Sequence, residues 1–138
     1  MTSRFLLDTN VVSEIRRSRP DPAVTAWFDG LGQAELFLSV LTLGEIGLGI
    51  HRLRRRDAEQ ADVLDRWLAE LRRVYADRVL PVTDEVAERW AMLNTPRPLP
   101  VVDGLLAATA LVHDAVLVTR STADLRGVDV RTIDPFTR

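Results

Sequence analysis

The stretch that most constrains this chain lies at its start, where the apolar run Phe5-Leu6-Leu7 stops abruptly on Asp8. Successive side chains point to opposite faces of a strand, so an uninterrupted apolar run describes a strand covered on both sides. Such strands belong to parallel sheets with helices packed on each face. Asp8 then falls at the strand's carboxyl end, the edge where open parallel α/β sheets bind their ligands. A lone acid there is explained just as well as a turn residue. The position means more only if other segments bring acids to the same edge.

At 138 residues the chain fits one domain, 1–138, long enough to bury a core unaided. It has no cysteine, which removes disulfides, thiolate nucleophiles and cysteine-rich zinc sites. His51 and His113 are far apart and share no metal-ligand spacing. No apolar run is long enough to span a membrane, and the N-terminus lacks a signal peptide's layout. The natural reading is a soluble cytoplasmic protein with no membrane partner. The formal charge of −2 argues neither for nor against nucleic acid. All 18 basic residues are arginine, whose forked guanidinium binds phosphate in bidentate fashion, although biased base composition explains the excess equally well. The absence of lysine counts against a P-loop, and against receiver domains and haloacid-dehalogenase-like phosphatases, which pair a lysine with their aspartates.

Periodicity predicts alternating strands and helices. Asn10 is a good N-cap for a helix to about Arg17, and Asp21 with Pro22 starts a second that Gly30 ends. Glu35 to Val40 reads as a buried strand, and Thr42 begins a third helix running to about Arg56. Asp57 to Ala76 is a long amphipathic helix that pairs with it. Val79 to Val82 is a short strand whose Pro81 suits a sheet edge. Thr83 caps a helix through Leu93, and Thr95 to Pro100 is a stiff loop. Val102-Asp103-Gly104 opens a helix buried on more than one side, followed by strands at 115–118 and 128–133. One domain with a parallel sheet between helical layers follows.

Four acids take comparable places: Asp8 after the first strand, Glu45 in an early helical turn, Asp103 opening a helix, and Asp124 beyond the fourth strand. Each has a bland explanation. Thr42-x-x-Glu45 is a capping-box pattern. Helix dipoles favour acids such as Asp103 in first turns, and Asp124 can be a loop residue. As a set they converge on one edge if the first, second and fourth strands are neighbours. Clustered carboxylates repel by about 4 kcal/mol per pair at ~4 Å in an effective dielectric of ~20. Such a cluster persists only when protons or a cation relieve it. Mg²⁺ or Mn²⁺ is the usual relief, and it can activate a water for phosphoryl chemistry.

The chain resembles PIN-domain ribonucleases, specifically the VapC-type toxins of toxin–antitoxin pairs. The resemblance rests on Phe5-Leu6-Leu7-Asp8-Thr9-Asn10, Leu38 to Glu45, Asp103 to Ala110, Leu117 to Ser121 and Ile133-Asp134-Pro135-Phe136. It implies an α/β/α sandwich with a five-stranded parallel sheet and a Mg²⁺- or Mn²⁺-dependent endoribonuclease acting on tRNA or another structured RNA. It further implies a small VapB-type antitoxin and a homodimer. Asp8, Glu45 and Asp103 match the family's acidic metal-site residues, with Thr9 as a secondary contact. Where the family often has Asp or Asn directly after the Thr-Arg pair, this chain has Ser121. Either Asp124 supplies the fourth carboxylate, the preferred reading, or Ser121 contacts a metal-bound water. Arg120 is a candidate contact to substrate or an acid. The arginines at 16, 17 and 19 and at 52, 54, 55 and 56 are candidate phosphate contacts or solvated helix ends. The competing reading is a PIN domain too weak in metal to cleave, which binds RNA or protein instead. A phosphatase using Asp8 as nucleophile is disfavoured by the missing lysine.

Overall fold

In a computed structural model, which describes residues 3–32 and 34–137, the elements run β1 (Arg4–Leu7), α1 (Thr9–Arg16), α2 (Pro22–Asp29), β2 (Glu35–Ser39), α3 (Val40–Arg54) and α4 (Ala58–Val74), then β3 (Val79–Leu80), α5 (Asp84–Leu93), α6 (Val101–Val112), β4 (Val116–Val118) and β5 (Thr132–Ile133). Met1, Thr2, Gln33 and Arg138, at or within the expected 1–138 span, lie outside the described residues. The strands form one five-stranded sheet in the order β3-β2-β1-β4-β5, and every pairing is parallel.

The alternation along β1 explains the layers. Leu7 and Phe5 pack with α1, α3 and α4 through Val11, Val12, Leu43, Ile46, Ile50 and Leu68. Leu6 faces the other way, into Leu99, Leu106, Ala107 and Ala110. β4 divides likewise, Val118 to the first cluster and Leu117 to the second. The central apolar run therefore serves two cores, and each fully buried leucine stabilises the fold by about 1.5–3 kcal/mol. α6 lies flat on the second face with Gly104 and Leu106 to Ala110 buried, which accounts for its small, apolar sequence. Gly104 matters because a Cβ there would stand 3.2 Å from the Trp90 ring of α5.

Several boundaries differ from expectation, each for a local reason. Asp8, not Asn10, caps α1: its Oδ1 accepts from the Val11 amide at 3.0 Å. Ser39, not Thr42, caps α3, accepting from the Leu41 amide at 3.0 Å. Thr42 is inside the helix and fully buried, so the Thr42–Glu45 capping box does not exist. α6 begins at Val101, placing Asp103 in its first turn. β5 is only Thr132–Ile133 instead of 128–133. Asp21 and Thr83 cap their helices as expected, whereas Asp57, expected as the first residue of its helix, is the cap of α4, which begins at Ala58. Glu14 is also buried, but its carboxylate is occupied with the Asp21 amide at 2.9 Å and Arg17 at 3.3 Å. It pins the corner between α1 and α2.

Candidate active site at the carboxyl edge

The chain leaves β1 towards β2 and β3 through α1 to α4, then returns past β1 to β4 through α5 and α6. Between β1 and β4 the strand order reverses, and the connections leave in opposite directions. That is the topological switch point, where an open α/β sheet leaves a crevice at its carboxyl edge. Leu7 and Val118 are paired in register, so the next residues, Asp8 and Thr119, stand at the mouth of the crevice.

Asp8 is 5% exposed and tied on three sides. Its amide donates to the Val118 carbonyl at 3.0 Å, Oδ1 caps α1, and the Thr119 hydroxyl donates to Oδ2 at 2.5 Å. Thr119 in turn accepts from the Ser121 amide at 2.9 Å. Burial pushes the Asp8 carboxyl above its ordinary range; the Thr119 and Val11 hydrogen bonds oppose this, and the charge of Glu45 adds to it. The hydrogen bonds leave each oxygen with lone-pair capacity, so either a proton or a cation could relieve the burial.

Glu45 lies on the exposed side of α3 and accepts from the Thr9 hydroxyl at 2.5 Å. Thr9 is thus the contact that ties the first turn of α1 to Glu45. The carboxyl of Asp103, in the first turn of α6, is also raised, first by burial and then by the charges of Asp124, Asp8 and Glu45 in that order. Four acids from four separated stretches therefore share one electrostatic neighbourhood. Asp124 acts on Asp103 most strongly of the three. Ser121 instead spends its amide on Thr119 and brings no charge.

Among the described residues, no acid pairs with Arg120. Its guanidinium stacks on the Phe136 ring, 3.6 Å from the centroid. Of the two arginine stretches, Arg54 pairs with Asp62 at 2.7 Å and with Asp65, and Arg17 with Glu14. Arg16 lies over Trp67 at 5.5 Å. A groove of about 290 Å³ runs from Thr9 and Glu45 between α1 and α3 to Arg16, Arg56 and Trp67. His51 is exposed and His113 is the C-cap of α6, so neither joins the acids. Thr119 is the participant that sequence reading missed. Its signals were its place after the buried pair Leu117-Val118 and its membership of the Thr-Arg pair, and neither gave it a role until β4 was seen to lie beside β1.

The donor set suits a hard cation: carboxylate oxygens without thiolate or imidazole. Among the described residues, no three acids or histidines already stand as a finished metal cage. Convergence without contact is compatible with Mg²⁺, which keeps several waters and meets carboxylates partly through them.

A family model described as the PIN domain matches residues 5–129. The chain belongs to the PIN-domain family. Among its PIN-domain relatives, Toxin FitB of Neisseria gonorrhoeae is 33% identical over 138 residues, covering 96% of this chain and 98% of FitB. The VapC ribonuclease Y4jK of Sinorhizobium fredii is 32% identical over 140 residues, covering 96% and 97%. The crystal structure of FitAcB from Neisseria gonorrhoeae superimposes with a TM-score of 0.87 at 32% identity, over 97% of this chain and 99% of that one. This PIN domain therefore sits among the VapC-type ribonuclease toxins of toxin–antitoxin systems, in agreement with the resemblance carried by its motifs.

Proposed function

We propose that this chain, as a single PIN domain, is a Mg²⁺- or Mn²⁺-dependent endoribonuclease that hydrolyses phosphodiester bonds in tRNA or another structured RNA. The observation that carries the reading is the geometry of the switch point, where buried Asp8 is held by Val11 and Thr119 and its neighbour Thr9 joins Glu45; the raised Asp103 carboxyl, burdened by Asp124, Asp8 and Glu45, agrees with it. Carboxylates are gathered against their own repulsion where a bound cation repays it. Asp8, Glu45, Asp103 and Asp124 would hold the ion. The chemistry it supplies when bound is polarisation of a phosphoryl oxygen and a lowered pKa of water. The chain's own contribution is placement: Thr119 and the α1 amides fix Asp8, and Thr9 fixes Glu45. Arg16 and Arg56, which line the same groove as Thr9 and Glu45, would take phosphates of the same strand.

The named relatives support a VapB-type antitoxin as partner; the cytoplasmic location and the homodimer are our own reading and rest on the family resemblance alone. Exposed Leu48 on α3 and Val63 and Val74 on α4 offer apolar surface for such contacts. A second reading, a PIN domain that binds without cutting, is favoured by Ser121 in place of an acid and by the unfinished cage. The purified chain on structured RNA separates the two. Cleavage should need Mg²⁺ or Mn²⁺, stop with chelator, and fall about 100-fold or more in Asp8→Asn and Asp103→Asn. Cleavage at the wild-type rate in both variants would sink the nuclease assignment to this site. RNA binding without cleavage at any metal concentration would favour the second reading.

A further inference from the structure

Arg97 stands between Pro96 and Pro98 in the loop that leads into α6. Each proline locks its own φ, and Pro98 also confines Arg97 to extended backbone, so the arginine side chain leaves a stiff base. The loop is tied at both ends: Asn94 Oδ1 accepts from the Leu99 amide at 2.9 Å, and Asn94 Nδ2 donates to the Trp90 carbonyl at 2.9 Å. Among the described residues, Arg97 makes no ion pair. One terminal guanidinium nitrogen instead donates to the Asp124 carbonyl at 3.1 Å and to the Arg126 carbonyl at 2.7 Å.

Those carbonyls flank Leu125, which is 4% exposed and anchors the middle of the turn in the core. The turn's other ties are local backbone bonds: the Asp124 amide to the Ser121 carbonyl and the Leu125 amide to the Thr122 carbonyl at 3.2 Å each, the Arg126 amide to the Ala123 carbonyl at 3.3 Å, and the Val128 amide to the Leu125 carbonyl at 3.0 Å. Those bonds stay within the turn, whereas the two guanidinium bonds, one on each side of the Leu125 anchor, tie it to the loop before α6. The stakes are electrostatic. The loop bearing Arg97 runs into the first turn of α6, where Asp103 lies, and Asp124 is the strongest of the three repulsions on Asp103.

We propose that Arg97 is a positioning residue: by bridging the carbonyls of Asp124 and Arg126 it holds the Asp124 carboxylate beside Asp103, so that the site keeps a fourth acid although Ser121 has no charge. The inference rests on the four-acid reading above. It goes beyond that reading by assigning the placement of Asp124 to a side chain on the opposite segment. A guanidinium donor makes such bonds charge-assisted, and these are stronger than bonds between neutral groups.

The experiment is Mn²⁺ binding to the purified, metal-free full chain, read by the electron paramagnetic resonance of free Mn²⁺, with the melting temperature of each metal-free variant measured alongside. Asp124→Asn should weaken binding about tenfold or more, and Arg97→Met should do the same with little change in melting temperature. Arg97→Lys, which keeps a charged donor, should recover part of the affinity. The double variant should bind no more weakly than Asp124→Asn alone, because the two act on one carboxylate. Affinity within about twofold of wild type in Arg97→Met, with Asp124→Asn weakened, would overturn the positioning role and leave the four-acid site standing. No effect of Asp124→Asn would overturn the four-acid site itself, and the positioning role with it. If Arg97→Met does not fold, Arg97→Gln is read the same way, and wild-type affinity there is equally fatal.

Discussion

Asp103 is a cost to the metal-free fold, and that cost depends on pH. Its carboxyl is raised, first by burial and then by Asp124, Asp8 and Glu45. An acid whose folded pKa lies above its ordinary 3.8 binds more protons folded than unfolded. Its contribution to stability is fully present below about pH 3.8 and is lost as pH rises through the folded value. At pH 7 the metal-free fold therefore carries an unrelieved penalty. Asp103→Asn should melt a few degrees above wild type at pH 7 without metal, and the gap should close as pH falls below about 4, as measured by thermal unfolding across a pH series. A wild type more stable than the variant at pH 7 without metal would contradict the electrostatic account. Thr119 is a different kind of residue. It is buried, satisfied on both sides, and stitches the end of β4 to the end of β1 through Asp8.

At the scale of elements, the start of α3 decides where Glu45 points. The pattern Thr42-x-x-Glu45 has the form of a capping box, which would have spent the glutamate on backbone. Ser39 takes the capping role two residues before Leu41, and the extra turn moves Glu45 out to meet Thr9. Thr42 Oγ1 is left buried with no hydrogen-bond partner among the described residues. The expected outcome of mutation is an inversion of the sequence-based one. Ser39→Ala should cost about 1 kcal/mol in urea unfolding, whereas Thr42→Val should be neutral or stabilising. A loss on Thr42→Val as large as on Ser39→Ala would restore Thr42 as a cap. Caps were legible only as candidates, because Ser39 and Thr42 are both competent and the strand's length chooses between them. The shortness of β5 was illegible for a related reason. Val128 and Val130 have strand-like alternation, yet the Val130 amide turns back to the Val128 carbonyl at 2.8 Å instead of joining the ladder.

For the whole molecule, the cation is the expected partner of the fold as much as of the reaction. An ion that binds only the folded chain stabilises it by mass action, about 2.7 kcal/mol at 100 times its dissociation constant. Mn²⁺ at that level should raise the wild-type melting temperature by roughly 10 °C and leave Asp103→Asn nearly unmoved, so that the order of the two variants reverses with metal. Equal shifts in both would place the ion elsewhere. What the sequence determined by itself is the pattern of burial: an apolar run with no polar face can only be a strand covered twice, and small-residue helices can only lie flat against it. That is enough for a parallel sheet between helical layers and for acids at strand and helix ends. Tertiary structure decided which of those ends meet. The order β3-β2-β1-β4-β5 is a long-range fact, and it alone makes Asp8 and Thr119 neighbours, brings Asp124 to Asp103 past an uncharged Ser121, and hands the Asp124 turn to Arg97. Local spacing cannot encode such meetings, because each joins stretches far apart in the chain whose proximity depends on every strand between them.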